Sequence, residues 1–116
     1  MMSKKFFPKK TDINPIIYGY TENTSQYKGL IKIGRTDRTI EQRMKEHYPT
    51  KGPDGLDRYR VLFTESRVRN DGSTFTDDDV RNYLSKRGIK KRGGEWMECT
   101  VDEAISGVLS LRDNKE

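Results

Sequence analysis

The sequence predicts a small α+β domain with a mostly antiparallel sheet of three to four strands flanked by three helices. Segments typical of strands and of capped helices alternate in the order strand, strand, helix, strand, helix, strand, helix. The 116 residues suit a single domain. Hydrophobic residues make up only 31% of the chain, so the core is expected to be thin.

The first two predicted strands form a hairpin, and a helix follows it. Residues 15–21 (PIIYGYT) and 30–34 (LIKIG) are rich in β-branched and aromatic residues and are joined by a polar loop. The helix covers residues 40–47, because Thr39 and Gln42 form a capping-box pattern and prolines and glycines follow.

The second half alternates in the same way. Residues 59–66 (YRVLFTES) are a predicted strand, Thr76 caps a helix that ends at Gly88, and residues 94–99 are a short strand. Thr100 then caps the last helix. The residues expected to face inward are Tyr59, Val61, Phe63, Val80, Tyr83, Leu84, Val101, Ala104, Ile105, Val108 and Leu109.

Charge and cysteine content limit the class of protein. A pI of about 9.3, from 23 Lys+Arg against 18 Asp+Glu, favours a polyanionic partner such as nucleic acid. Cys99 is the only cysteine, which excludes an intramolecular disulfide and fits a reducing, cytoplasmic location. No apolar run is long enough for a membrane span.

The chain is expected to have polar ends. Residues 1–13 form a predicted flexible basic arm that lacks the apolar stretch of a signal peptide. Residues 14–111 form the predicted folded domain, and residues 112–116 are expected to be frayed.

Two pairs of side chains suit phosphodiester chemistry. Tyr18 and Lys32 are expected to be close on paired strands, and an ammonium beside a tyrosine hydroxyl favours the phenolate, a usable base. Arg43 and His47 are four apart on one helix face. There the arginine could bind a phosphate oxygen and the histidine could polarise or protonate a neighbouring oxygen. The simpler interpretation is structural: a strand aromatic, a solvated lysine, a surface arginine and a helix-terminal histidine.

Carboxylates that could hold a metal ion occur in two places. Asp77, Asp78 and Asp79 start the second helix, and Glu95 precedes Trp96. Hard oxygen ligands of this kind suit Mg²⁺ or Mn²⁺. Acidic residues in a first helical turn also stabilise the helix dipole without any metal, and an exposed strand glutamate is equally ordinary.

Together these residues resemble the GIY-YIG nuclease superfamily. Residues 16–18 (IIY) match its GIY element, residues 32–34 (KIG) match its YIG element, and Arg43 matches the arginine of the next helix. His47 lies one turn later, where many members carry His or Tyr. Residues 75–99 (FTDDDVRNYLSKRGIKKRGGEWMEC) resemble a branch of phage proteins and domains attached to restriction-type helicases.

The resemblance implies a metal-dependent cut in DNA, with one Mg²⁺ or Mn²⁺ ion. By position, Tyr18 is the general base, Arg43 binds the phosphate, and Lys32 assists Tyr18 or stabilises charge. A helix carboxylate holds the metal in the family, which assigns that role to Asp77, with Glu95 as the other candidate.

Four positions depart from the family pattern. Ile16 replaces the first Gly of GIY, and Lys32 replaces the first Tyr of YIG. Arg81 stands where a histidine is expected, and Asp77 is shorter than the usual glutamate. Arg81 cannot ligate a metal, and its charge would repel one.

The expected function is therefore a metal-dependent DNA endonuclease, alone, as a homodimer, or with a helicase or other targeting partner. The alternatives are a non-catalytic DNA-binding module of the same fold and a protein-interaction adaptor. The basic residues expected to contact DNA are Arg35, Arg38, Lys45, Lys90, Lys91 and Arg92, with Lys4 and Lys5 in the arm.

Overall fold

The computed structural model describes residues 15–114, so the predicted basic arm and its lysines lie outside the described residues. A short 3₁₀ turn, Ser25–Tyr27, lies in the hairpin loop. The strands and helices are β1 (Ile16–Glu22), β2 (Leu30–Thr36), α1 (Ile40–His47), β3 (Tyr59–Ser66), α2 (Asp77–Lys86), β4 (Lys90–Lys91), β5 (Trp96–Glu98) and α3 (Val101–Arg112).

The strands form one antiparallel sheet in the order β3-β1-β2-β5-β4. This architecture confirms the predicted α+β class, including the β1–β2 hairpin. The two-residue strand β4 was not predicted, because a pair of lysines carries no strand signal. Helix α3 continues to Arg112, one residue beyond the predicted end of the folded domain.

Alternation along the central strands gives the sheet two different faces. Ile17, Ile31 and Ile33 face the main hydrophobic core, which α2 and α3 complete. Tyr18 and Tyr20 face the other way and pack with α1. Successive residues of a strand point to opposite faces, so the same two strands build the core and position a second, aromatic layer.

The alternation predicted for β3 is wrong, because the strand contains a bulge. Gly19 pairs with Phe63 and Tyr20 pairs with Val61, which leaves Leu62 without a partner on β1. A bulge of this kind reverses the faces on its two sides. Phe63 therefore joins the main core, whereas Val61 lies on the opposite face and is 37% exposed.

The inward face predicted for α3 is wrong at Leu109. The buried stripe consists of Ala104, Gly107, Val108 and Leu111, and Leu109 is only half-buried. The stripe follows helical spacing, but its phase is set by contact with α2 at Gly107. A Cβ at that position would lie 3.0 Å from Cδ2 of Leu84, so the glycine lets the two helices approach closely.

All three helices begin with a reciprocal capping box. Thr39 pairs with Gln42 and Thr100 pairs with Glu103, as predicted. Thr76 caps α2 as predicted, and its partner is Asp79, which therefore has a structural role. Each cap contributes about 1 kcal/mol and fixes the residue at which its helix begins.

Leu84→Ala tests the packing between α2 and α3. Leu84 is buried in the main core, so its truncation should lower the free energy of unfolding by about 2–5 kcal/mol in urea denaturation. The matched control is Leu56→Ala, because Leu56 is 64% exposed and should change stability by less than about 0.5 kcal/mol. Equal losses from the two substitutions would contradict this core.

Candidate active site

A hydrogen bond between Tyr18 and Arg43 joins β1 to α1. Arg43 donates from Nε to the Tyr18 hydroxyl at 3.1 Å, although the two residues are 25 positions apart. Tyr18 lies opposite Gly34 of β2. A Cβ on that glycine would lie 2.6 Å from the hydroxyl, so only glycine leaves room for the ring over the strand. The structure therefore brings together the predicted phenol and guanidinium.

Arg43 also belongs to a surface ion-pair cluster. Its Nη1 donates to Oε1 of Glu46 at 3.0 Å, and Arg38 pairs with the other oxygen of the same carboxylate. Glu46 thus neutralises two of the arginines predicted to meet a nucleic acid. A phosphate entering this surface would compete with Glu46 for both guanidinium groups.

Lys32 was expected beside Tyr18, but it lies beside Tyr20. The hairpin register pairs it with Tyr20, and its Nζ is 5.7 Å from the centre of that ring. Its other neighbour is Glu95, whose Oε1 is 3.8 Å from Nζ. The cation at the Tyr18 hydroxyl is therefore Arg43.

His47 lies among these charged side chains. Burial lowers its pKa below the usual 6.5, the cations of Arg43 and Lys32 lower it further, and Glu95 acts in the opposite direction. Its Nε2 is buried and has no hydrogen-bond partner among residues 15–114. The imidazole is thus neutral at physiological pH. The charges that act on His47 belong to Arg43, Lys32 and Glu95, so these side chains lie near it. We call the site formed by Tyr18, Lys32, Arg43, His47 and Glu95 the Tyr18 groove.

Tyr20 forms the centre of the aromatic floor of the Tyr18 groove. Its ring stacks with Tyr18 at 6.1 Å and meets His47, Tyr48 and Trp96 at 5.8–5.9 Å between ring centres. Sequence reasoning did not single out Tyr20. Its spacing of two residues from Tyr18 was the available signal, because it places both rings on one face of β1.

Tyr48 anchors the end of α1 in this aromatic layer. Its hydroxyl donates to Oε2 of Glu22 at 2.8 Å. Burial raises the pKa of Tyr48, and the bond to the Glu22 carboxylate raises it further, so this phenol stays protonated. Tyr48 is therefore a structural tyrosine, whereas Tyr18 accepts a hydrogen bond from a cation.

The predicted DNA-contacting residues fall into two groups. Arg35, Arg38 and Lys45 lie on β2, the turn after it and α1, on either side of Arg43 in the chain. Lys90, Lys91 and Arg92 lie at the β4 edge of the sheet. In the second group, Lys91 donates to Asn82 and Arg92 pairs with Glu98.

Asp77 is tied to two arginines. Its Oδ1 is 3.5 Å from Nε of Arg35, and its Oδ2 accepts from Nη1 of Arg81 at 2.9 Å. Arg81 also bonds Asp78 and the carbonyl of Ile33. The burial of an arginine at this position was not predicted.

The T5orf172 domain matches residues 16–112 of this chain, which is most of its length. The chain belongs to the T5orf172 domain family. This family is associated with phages and loosely with nucleases. Comparisons with curated proteins and with solved structures find no significant match. In residues 15–114 of this T5orf172 domain, no helix has the length and apolar character needed to cross a membrane.

The carboxylates of this T5orf172 domain differ in their fit to a divalent ion. Both oxygens of Asp77 are already engaged by arginines, so this side chain does not fit a metal ligand. Glu95 has 47% of its side-chain surface exposed and pairs only loosely with Lys32. Mg²⁺ commonly binds one or two carboxylates and keeps several waters. Glu95 fits that donor set, and within residues 15–114 no three His, Cys, Asp or Glu side chains form a cluster.

Acidification tests the environment of His47. Because its folded pKa lies below 6.5, the unfolded chain binds the proton more readily. The associated stability is present above pH 6.5 and is lost as pH falls through the folded pKa. Urea denaturation between about pH 8 and about pH 5 should show a steeper loss for the wild type than for His47→Gln. A wild type that gains stability over His47→Gln on acidification would show that Glu95 dominates instead.

Proposed function

We propose that this T5orf172 domain is a metal-dependent DNA endonuclease of the GIY-YIG type, with the Tyr18 groove as its active site. The observation that carries the proposal is the 3.1 Å hydrogen bond from Arg43 to the Tyr18 hydroxyl. It joins a group that can take a proton from water to a cation that can hold a phosphate. The family's association with phages and nucleases supports the same assignment.

Tyr18 is the proposed general base. Its hydroxyl oxygen accepts the Arg43 hydrogen bond, so the guanidinium lies against the oxygen that takes the proton in the proposed reaction. In the proposed step, the deprotonated Tyr18 oxygen takes a proton from a water molecule, whose oxygen attacks phosphorus. The bond from phosphorus to the leaving oxygen breaks, and the leaving oxygen takes a proton from solvent.

Arg43 and Lys32 are the proposed charge stabilisers. The pentavalent transition state carries extra negative charge on the phosphate oxygens, and fixed cations in a groove lower its energy. Arg43 can bind two oxygens with its planar donors, whereas Lys32 acts as a point charge. Neutral His47 can accept a proton or a hydrogen bond, but it carries no imidazolium proton to give.

Glu95 is the proposed ligand for a divalent ion. The carboxylate lies beside Lys32 on the groove and is accessible. An ion bound there, completed by waters and by the substrate phosphate, would supply Lewis acidity toward a phosphate oxygen.

A second candidate function is DNA binding without cleavage. Tyr18 is only 1% exposed, and its hydroxyl already accepts a hydrogen bond from Arg43. This burial favours a structural tyrosine and leaves the basic surface for binding alone. The two functions differ in whether the protein cuts the DNA that it binds.

Nicking of supercoiled plasmid with Mg²⁺ or Mn²⁺ separates them. The wild type should nick the plasmid, and Tyr18→Phe or Arg43→Ala should each reduce the rate by about 100-fold or more, because each removes a proposed catalytic group. The matched controls are Tyr83→Phe on α2 and Arg87→Ala at its C-cap, whose side chains contact each other. Binding without nicking by the wild type would establish the second function.

Glu46→Gln tests whether phosphate competes for the arginines of α1. Freeing Arg38 and Arg43 from their shared carboxylate should tighten DNA binding by about two- to fivefold. Glu41→Gln is the control, because it removes the same charge from the same helix. Fluorescence anisotropy of a labelled duplex gives both constants. Equal tightening by the two variants would show only a general charge effect.

A further inference from the structure

Arg81 lies in an environment where arginine is rarely found. The residue is only 6% exposed. Its Nη1 donates to the Ile33 carbonyl at 2.6 Å and to Oδ2 of Asp77 at 2.9 Å, and its Nη2 donates to Asp78. A buried charge is tolerated only when it is paired and hydrogen-bonded.

The open edge of β2 explains the bond to Ile33. Strand β5 pairs with β2 only as far as Lys32, and the next amide, that of Ile33, donates to the carbonyl of Glu95. The Ile33 carbonyl then accepts from Arg81. The guanidinium thus satisfies a backbone acceptor just before Gly34, the residue that leaves room for Tyr18.

We propose that the Arg81 guanidinium occupies the place at the start of α2 where a divalent metal ion would otherwise bind. Asp77 therefore binds no divalent metal in this protein. The position is defined by two carboxylates and one carbonyl, all hard oxygen atoms of the kind that Mg²⁺ and Mn²⁺ prefer. A guanidinium already donates to all three. A metal ion would have to displace a buried charge from its three partners.

The charge balance supports the proposal. Asp77 and Asp78 carry two negative charges, and Arg81 and Arg35 supply two positive charges to them. Burial disfavours the charged form of Arg81, but its bonds to the two carboxylates outweigh that effect and raise its pKa. Arg81 therefore stays a cation, and little attraction remains for a divalent ion. Asp79 is engaged separately in the helix cap.

Mn²⁺ binding measured by electron paramagnetic resonance tests the proposal on the full chain. All variants carry Glu95→Gln, so that an ion in the Tyr18 groove does not contribute. In this background, adding Asp77→Asn should leave the amount of bound Mn²⁺ unchanged within about twofold, because Asp77 holds no metal. A clear loss of bound Mn²⁺ on adding Asp77→Asn would overturn the proposal.

Arg81→Gln in the same background gives the converse result. Glutamine keeps an N–H donor for the Ile33 carbonyl but removes the charge, so one Mn²⁺ should bind and should be lost again when Asp77→Asn is added. A folded Arg81→Gln variant that gains no Mn²⁺ would also overturn the proposal. If circular dichroism shows this variant to be unfolded, the Asp77→Asn comparison decides alone. Neither arm depends on whether the Tyr18 groove cleaves DNA.

Discussion

The hydrogen bond from Arg43 to Tyr18 joins the two elements on which the groove depends. Strand β1 supplies the phenol, and α1 supplies the guanidinium at the position that its capping box fixes. Gly34 provides the space for the Tyr18 ring, so the geometry depends on a glycine at this position as well as on Tyr18 and Arg43. Moving α1 by one residue would point Arg43 away from the sheet.

The cations around the groove are paired with carboxylates in the unbound protein. Arg43 and Arg38 share Glu46, Lys32 lies near Glu95, and Arg35 pairs with Asp77 on the neighbouring helix. The Arg38–Glu46 pair is largely exposed, and such pairs contribute little to stability, so a phosphate can replace Glu46 at small cost. The buried pair between Arg81 and Asp77 is different, because breaking it leaves an uncompensated buried charge. The exposed ion pair can therefore exchange its carboxylate for a phosphate, whereas the buried ion pair stays fixed.

Local sequence patterns predicted the helices and the hairpin, whereas the resemblance to the GIY-YIG superfamily predicted that Tyr18 and Arg43 share one site. Capping boxes and strand alternation act within a few residues, so they can be read from the chain. The predictions were wrong where contacts between residues far apart in the chain determine the structure. The bulge at Leu62 depends on the register between β1 and β3, and the phase of α3 depends on its contact with Leu84. The partner of Lys32 follows from the hairpin register, which a long loop does not fix. The bond from Arg81 to Ile33 depends on the pairing between β5 and β2 stopping at Trp96, and no local signal gives that residue.

Side-chain nuclear magnetic resonance of ¹⁵N-labelled arginine tests most directly whether DNA binds at the Tyr18 groove. The Arg43 Nε–H signal, assigned by its absence in Arg43→Lys, reports the bond to the phenol. Titration with a short, uncleavable phosphorothioate duplex should shift this signal strongly and leave that of Arg87, at the C-cap of α2, unchanged. A duplex that binds and shifts other arginine signals while leaving the Arg43 signal in place would contradict the account.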